Sequence, residues 1–412
     1  KTGGIKTIVA NLKNHNVSGF KVLDIPPPVT EAVQHGVYPN LRHDERARFN
    51  FEACLYKVIA KELSPGNELV YKKRVLSKFI KDKGREPETR HEVRRAMNAD
   101  PFHNFWSGLR RNTMEMRQVN GQFVTLRQID ELAQRAAALN ENSLNLQLNE
   151  TVNIPPYVSE VDHHCMPGSY HRELINGDVS PAANYDTGFF VTTGGSIGGL
   201  CDAAGAAIAG WIKAEQKGFS PKRILDIGSA VGNSLLPIAQ AFPRAEITAI
   251  DVSAPMLRYA HARAKSLGVT NIKFIQMSGE DMAALKDGSF DVVMTSIFLH
   301  ELSAKSLPKI MSEGYRVLKD EGLMVHLEQP QYSEDMPVFE QFIRDWDSYN
   351  NNEPFWSAMH DIDLIELMKN LGFDETNISY APLGSELNES TAGKPAEDFG
   401  RNAAWHAYVG RK

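Results

Sequence analysis

Three acidic or imidazole features in the second half of the chain sit where the sequence changes from an apolar run to small or polar residues. Asp226 lies near the end of the run Arg223 to Ile227, and Asp251 follows the run Glu246 to Ile250. His300 and Glu301 follow a third run, Asp291 to Ser296. Between the first two stands Gly228-Ser229-Ala230-Val231-Gly232, and the residues from Asn233 to Gln240 have the pattern of a helix start. Small residues at a strand-to-helix bend let a ligand approach the backbone near the new helix's N-terminus. Asp251 falls nineteen residues after Gly232, at a strand tip, where a carboxylate can accept from two ribose hydroxyls. The spacing D-I-G-S-A-V-G lacks the last glycine of the dinucleotide fingerprint, so a single nucleoside fits better than a dinucleotide. An imidazole at the C-terminal edge of such a sheet can serve as a proton acceptor.

A second cluster is Asp162-His163-His164-Cys165, with His171 six residues beyond Cys165. These are metal-ligating residue types, but the spacing matches no closed zinc motif, and adjacent histidines of an extended segment face opposite ways. Polar lining of a substrate pocket and plain loop chemistry are the other readings, and no metal is assigned. A third group, Trp346, Tyr349, Phe355, Trp356 and His360, could line a pocket for a flat or apolar acceptor or pack between helices.

The elements that must carry these residues follow one another as strand and helix. Asn271 to Gln276 is expected as a strand, Ser278-Gly279-Glu280-Asp281 as a loop, and Asp287 to Val293 as a turn into a strand. Leu299-His300-Glu301-Leu302 and Tyr315 to Gly322 precede another strand. In this order the motifs resemble the class I S-adenosylmethionine-dependent methyltransferases, over roughly residues 186 to 412. The resemblance implies an α/β fold, a Rossmann-like seven-stranded sheet, beside a separate and mostly α-helical N-terminal domain. It also implies S-adenosylmethionine as cofactor. Asp226, Gly228, Ser229 and Gly232 would surround its methionine portion, Asp251 and Val252 its ribose, and Met256 its adenine. Ser278, Gly279 and Glu280 stand where the family often has an acid for the adenine amino group, and Thr295 completes the set. Tyr185 and Thr193 are candidates for capping the cofactor, the alternative being a glycine-permitted turn into the helix Leu200 to Glu215. His300 paired with Glu301 is similar to the His-acid pair that plant-type O-methyltransferases use as base, although comparable segments occur in relatives where the His has no such role.

The first half differs in character. Three consecutive prolines, Pro26 to Pro28, mark residues 1–40 as an irregular arm. Residues 41–150 show helical periodicity, with breaks at Ser64-Pro65-Gly66, Lys83-Gly84 and Asp100-Pro101. Residues 151–193 form a turn-rich linker expected to line the active site, and residues 194–412 the methyltransferase domain. The strands Asn377 to Leu383 and Ala404 to Gly410 close the sheet, around a polar stretch, Gly384 to Asn402, expected as a lid or hairpin loop.

Length, charge and cysteine usage bound the rest. The chain has 412 residues and a net charge of −6, so no global field selects nucleic acid or membrane as partner. No apolar stretch is long enough for a membrane span. Three dispersed cysteines argue against a disulfide framework and for a cytoplasmic location. Between Lys72 and Arg117 thirteen Lys or Arg face six Asp or Glu, which is either a nucleic-acid surface or, in the favoured reading, the solvated faces of amphipathic helices. The expectation is an enzyme, by resemblance a homodimer, that methylates a small-molecule acceptor on oxygen. The alternatives are a nucleic-acid or protein methyltransferase docking through the basic helices, and a non-catalytic S-adenosylmethionine-binding protein.

Overall fold

The apolar runs become strands because their residues alternate between two cores. In β2 (Arg223–Ile227), Ile224 faces one hydrophobic cluster while Leu225 and Ile227 face the other. In β5 (Phe290–Ser296), Val292 and Met294 point one way and Val293 the other. Helices 203–215, 235–241 and 254–266 cover the first face, and helices 306–317 and 364–371 the second. A strand buried on both faces belongs to a parallel sheet.

The computed structural model describes residues 25–333, 335–383 and 405–412. Among them the sheet has eight strands. Besides β2 and β5 these are β1 (Leu146–Gln147), β3 (Glu246–Asp251), β4 (Ile272–Gln276), β6 (Leu318–Leu327), β7 (Ile378–Leu383) and β8 (Trp405–Arg411). The order is β1-β4-β3-β2-β5-β6-β8-β7, with β8 antiparallel to β6 and β7 and the other pairs parallel. Seven strands were expected. The eighth, β1, comes from the stretch assigned to the helical domain; it covers the free edge of β4, pairing Leu146 with Phe274 and Gln147 with Ile275. The chain steps from β2 through β3 and β4 to one side and then starts again at β5 on the other. That reversal opens a crevice beyond the C-terminal ends of β2 and β5.

The N-terminal helices run His43–Val58, Ser64–Val70, Leu76–Lys83, Arg90–Met97, Pro101–Leu126 and Ile129–Asn140. The expected break at Ser64-Pro65-Gly66 does not interrupt helical backbone. Pro65 sits in a first turn, where no amide is required of it, and π-helical turns at 59–63 and 71–75 join the pieces. Gly84 does end its helix, with φ +73°, and Asp100 caps helix 101–126, accepting from Phe102 N at 2.9 Å.

Two departures matter for the site. Residues 180–193 form a helix rather than a linker, with Pro181 in its first turn and Gly194 as a left-handed C-cap, so Tyr185 and Thr193 are helical residues. The N-terminal helices also share a core with the insertion after β6, in which helix 338–351 brings Phe342 and Trp346 against Ile59, Met97 and Trp106. Arg90 pairs with Asp345 at 2.6 Å and Arg110 with Asp347 at 3.1 Å across this contact. Together they roof the crevice. The stretch 384–402 and most of the arm lie outside the described residues.

Close approach between helix 203–215 and the turn after β2 depends on Gly205, where a Cβ would stand 1.9 Å from the Ser234 carbonyl oxygen. Gly205→Ala is expected to lower stability by about 1–3 kcal/mol through overpacking. Gly218→Ala, with open space around it but φ +80°, is expected to cost only about 1 kcal/mol of backbone strain. Urea unfolding midpoints of the two variants check the difference.

Candidate active site

The crevice encloses a cavity of about 980 Å³. On its sheet side, the tips of β2 and β3 present two carboxylates. Asp251 accepts from Ala230 N and Ser253 N, each at 2.9 Å, which fixes its orientation. Asp226 is only 3 % exposed, and no cation among the described residues offsets its charge. Burial first, and Asp251 second, push its carboxyl well above the usual carboxylate range. Asp251 is raised as well, by burial. A crevice lined by two such acids favours a ligand that carries positive charge and hydroxyl groups.

The glycine bend works differently from the expectation. Gly228 N and Ser229 N both donate to the Ile250 carbonyl, at 2.9 and 3.1 Å, so these amides hold β2 to β3 and are not offered to an anion. Gly228 itself is required: φ is +77° and a Cβ would stand 2.3 Å from the Phe298 ring. Ser229, Val252 and Met256 line the cavity with Asp226, Gly228 and Asp251.

His300 lines the same cavity and follows β5, the strand beside β2. Its Nδ1 donates to Glu328 Oε1 at 2.7 Å, and Trp356 stacks on the ring at 4.7 Å. Glu328, immediately beyond β6, accepts also from Phe298 N, His300 N and Gln329 N. The acid that orients His300 is therefore Glu328; Glu301 Oε1 lies 3.9 Å from Nε2, beyond hydrogen-bond reach. Burial lowers the imidazole's proton affinity, but Glu328, Glu301 and Glu353 outweigh it and lift the pKa to about 9.

Glu301 has a separate role. Its carboxylate contacts His163 Nδ1, stands 3.3 Å from His164 Nε2 and accepts from the Tyr170 hydroxyl at 2.9 Å. His164 Nδ1 faces Glu353 at 2.6 Å, and His163 Nε2 donates to the Tyr157 carbonyl at 2.7 Å. Each of these two rings thus has an oxygen close to both nitrogens, an arrangement that favours the doubly protonated ring. Burial opposes that charge, but the carboxylates prevail and raise His164 to about 10 and His163 in the same direction. The backbone is strained here, with His164 and Cys165 consecutively at φ +53° and +57°. That turn separates the sequence cluster: the Cys165 thiol faces the Asn350 carbonyl at 3.9 Å, and His171 takes no part in the Glu301 contacts. Among the described residues no three His, Cys, Asp or Glu side chains are arranged to hold a metal ion.

Other expected positions lie off the cavity wall. Gly232 packs toward Ala260 and Phe274, and Gly279 against Ile227. Ser278 Oγ accepts from Glu280 N at 3.2 Å, and Glu280 meets Lys309 at 3.3 Å. Thr295 bonds to His326 at 2.8 Å within the sheet. Trp346 donates to Ser107 Oγ at 2.7 Å in the roof core, Tyr349 is 56 % exposed, Phe355 meets the edge of Tyr157, and His360 stacks on Tyr332 at 4.2 Å. Tyr185, Thr193 and Trp356 do line the cavity, although the Thr193 hydroxyl is bonded to the Phe189 carbonyl at 2.9 Å. Glu328, Glu353, Tyr157 and Tyr170 were not singled out in the sequence. Of these only Glu328 carries a signal, as an acid just past a strand tip like Asp251.

Residues 224–322 match a family described as Methyltransferase domain. Malonyl-[acyl-carrier protein] O-methyltransferase of Geobacter sulfurreducens is 34% identical over 107 residues, which is 26% of this chain and 38% of that protein. Demethylmenaquinone methyltransferase of Thermus thermophilus is 34% identical over 113 residues, 27% of this chain and 49% of that one. The chain thus spans less than half the length of these two curated relatives. Among solved structures, a phosphoethanolamine N-methyltransferase 2 of Haemonchus contortus, in complex with S-adenosyl-L-methionine, aligns with a TM-score of 0.40 at 18% identity, over 55% of this chain and 57% of that one.

The imidazolium pair has a consequence for stability. His164 is raised from 6.5 to about 10, so its contribution is full below pH 6.5 and is lost as pH climbs toward 10. Urea unfolding across that range is expected to show a declining midpoint, and Glu301→Gln, which removes the anion that both rings share, is expected to flatten the decline.

Proposed function

We propose, on the premise that residues 224–322 form a class I S-adenosylmethionine-dependent methyltransferase domain, that the whole chain methylates an oxygen of a small-molecule acceptor, with His300 as the base. The observation that carries this reading is His300, oriented by Glu328 and lining the same cavity as Asp226 and Asp251. S-adenosylmethionine supplies an electrophilic methyl group on a sulfonium. The fit to that cofactor rests on its charge and hydroxyls: Asp226 is a buried acid with no countercharge, suited to its ammonium group, and Asp251 is a preoriented acceptor suited to its ribose. Val252 and Met256 supply apolar wall beside them.

A hydroxyl attacks far better once ionised, and only a neutral imidazole can take its proton. Glu328 holds Nδ1 protonated, so Nε2 is the accepting nitrogen and stands at the cavity wall. The roof helices and the 156–170 segment cover the crevice, which suits an acceptor small enough to be enclosed. The basic helices support nucleic-acid docking less well, because many of their cations are already paired: Lys72 with Glu68, Lys78 with Asp82, Arg85 with Glu92 and Arg111 with Glu115. No helix among the described residues is long and apolar enough to cross a membrane.

Calorimetric titration with S-adenosylmethionine and turnover on a panel of phenols test this. Asp251→Asn is expected to weaken cofactor binding by about tenfold or more, the loss of a charged hydrogen-bond acceptor. His300→Ala is expected to keep that affinity and lose about 10²–10⁴ in turnover. In the wild type kcat/KM is expected to rise with pH and level off above about 9, as His300 becomes neutral. Undiminished turnover by His300→Ala would remove the base assignment, and undiminished binding by Asp251→Asn would remove the nucleoside placement.

A further inference from the structure

One face of helix 101–126 contributes Trp106, Arg110, Met114 and Arg117 to the cavity, at spacings that keep them on one side of a helix. Arg110 is paired with Asp347 of helix 338–351, and Arg344 of that helix is paired with Glu340 at 2.8 Å. Arg117 is not paired. It is 4 % exposed, and no carboxylate among the described residues comes within 4 Å of it. Its Nη1 reaches only the Asn184 carbonyl, at 3.5 Å, and its Nε is buried without a hydrogen-bond partner. A buried guanidinium in that state is costly unless something compensates it.

The surroundings hold it there. Gly188 of helix 180–193 has no side chain where the guanidinium lies: a Cβ at that position would stand 1.7 Å from Arg117 Nη1. Asn184, whose carbonyl Arg117 meets, donates from Nδ2 to Gln118 Oε1 at 2.9 Å, and Gln118 donates to the His164 carbonyl at 2.7 Å. Glu52, which Asn120 contacts and which lies outside the cavity lining, is held down by the charge of Arg117 without pairing with it. Burial raises Glu52 to about 7, so it is an incomplete counterion even at neutral pH.

Resting on the reading of this cavity as an acceptor pocket, we infer that Arg117 is the docking point for an anionic group of the acceptor, a carboxylate or phosphate remote from the oxygen that is methylated. A planar guanidinium left without a carboxylate of its own is suited to a forked oxyanion, and the anion would complete the charge balance that Arg110 and Arg344 obtain from Asp347 and Glu340.

The test uses full-length protein saturated with S-adenosylhomocysteine, titrated with acid and amide pairs of increasing size: acetate and acetamide, benzoate and benzamide, 2-naphthoate and 2-naphthamide. Phenyl phosphate is run beside benzoate to separate the two oxyanions. At least one anion is expected to bind tenfold or more tightly than its neutral partner, and Arg117→Met to abolish that preference. S-adenosylmethionine affinity, measured on the same preparations before S-adenosylhomocysteine is added, is expected to stay unchanged, and it reports on the methyltransferase reading independently. Arg117→Met is also expected to match or exceed the wild-type unfolding midpoint, since it removes an uncompensated buried charge. If Arg117→Met does not fold, Gly188→Ala, which displaces the flexible end of Arg117, is expected to lose the same preference. Equal affinity for every acid and amide in the wild type, or a preference that survives displacement of Arg117, would overturn the proposal.

Discussion

Glu301 is a carboxylate withdrawn from bulk water between two histidines and a tyrosine hydroxyl, and much of the site is organised around that single anion. An isolated buried charge is strongly unfavourable, whereas one with three donors can be tolerated. The donors all come from the segment before helix 180–193, so the contact holds that segment over the end of β5. The strained turn at His164 and Cys165 is explained by the same demand, because it lets neighbouring residues place both imidazoles on one carboxylate. His164 then reaches Glu353 in the insertion after β6, joining the cover to the roof.

Charge is segregated across the cavity. The β2 and β3 tips carry uncompensated acids, the wall at His300 carries acids matched by imidazoles, and among the described arginines lining the cavity Arg117 has no carboxylate partner. This pattern suits the proposed pair of ligands, a cationic nucleoside on the sheet and an anionic acceptor beneath the roof, with His300 between the requirements of both.

The sheet was largely legible from sequence because its signals are local. Runs such as RILDI and EITAI alternate toward two cores, Gly228 needs a positive φ, and Asp251 ends its strand. The partner of His300 was not legible, since Glu328 is adjacent only because β6 pairs with β5; the neighbouring Glu301 was the natural guess from sequence distance. Helix 180–193 was obscured by its content of Thr, Gly and Asn, which are poor helix formers, and it persists through packing on helix 101–126 at Gly121 and Gly188. The aromatic residues after β6 were ambiguous for a related reason. Trp356 and Trp346 both lie in the stretch after β6, and tertiary packing puts one on His300 and the other in the roof core.

The most direct measurement is a crystal structure of the full chain with S-adenosylhomocysteine. The account predicts the ribose hydroxyls on Asp251, the amino group beside Asp226, and His300 Nε2 facing the sulfur across open cavity. A nucleoside bound elsewhere, or one that leaves both Asp226 and Asp251 without contact, would contradict it.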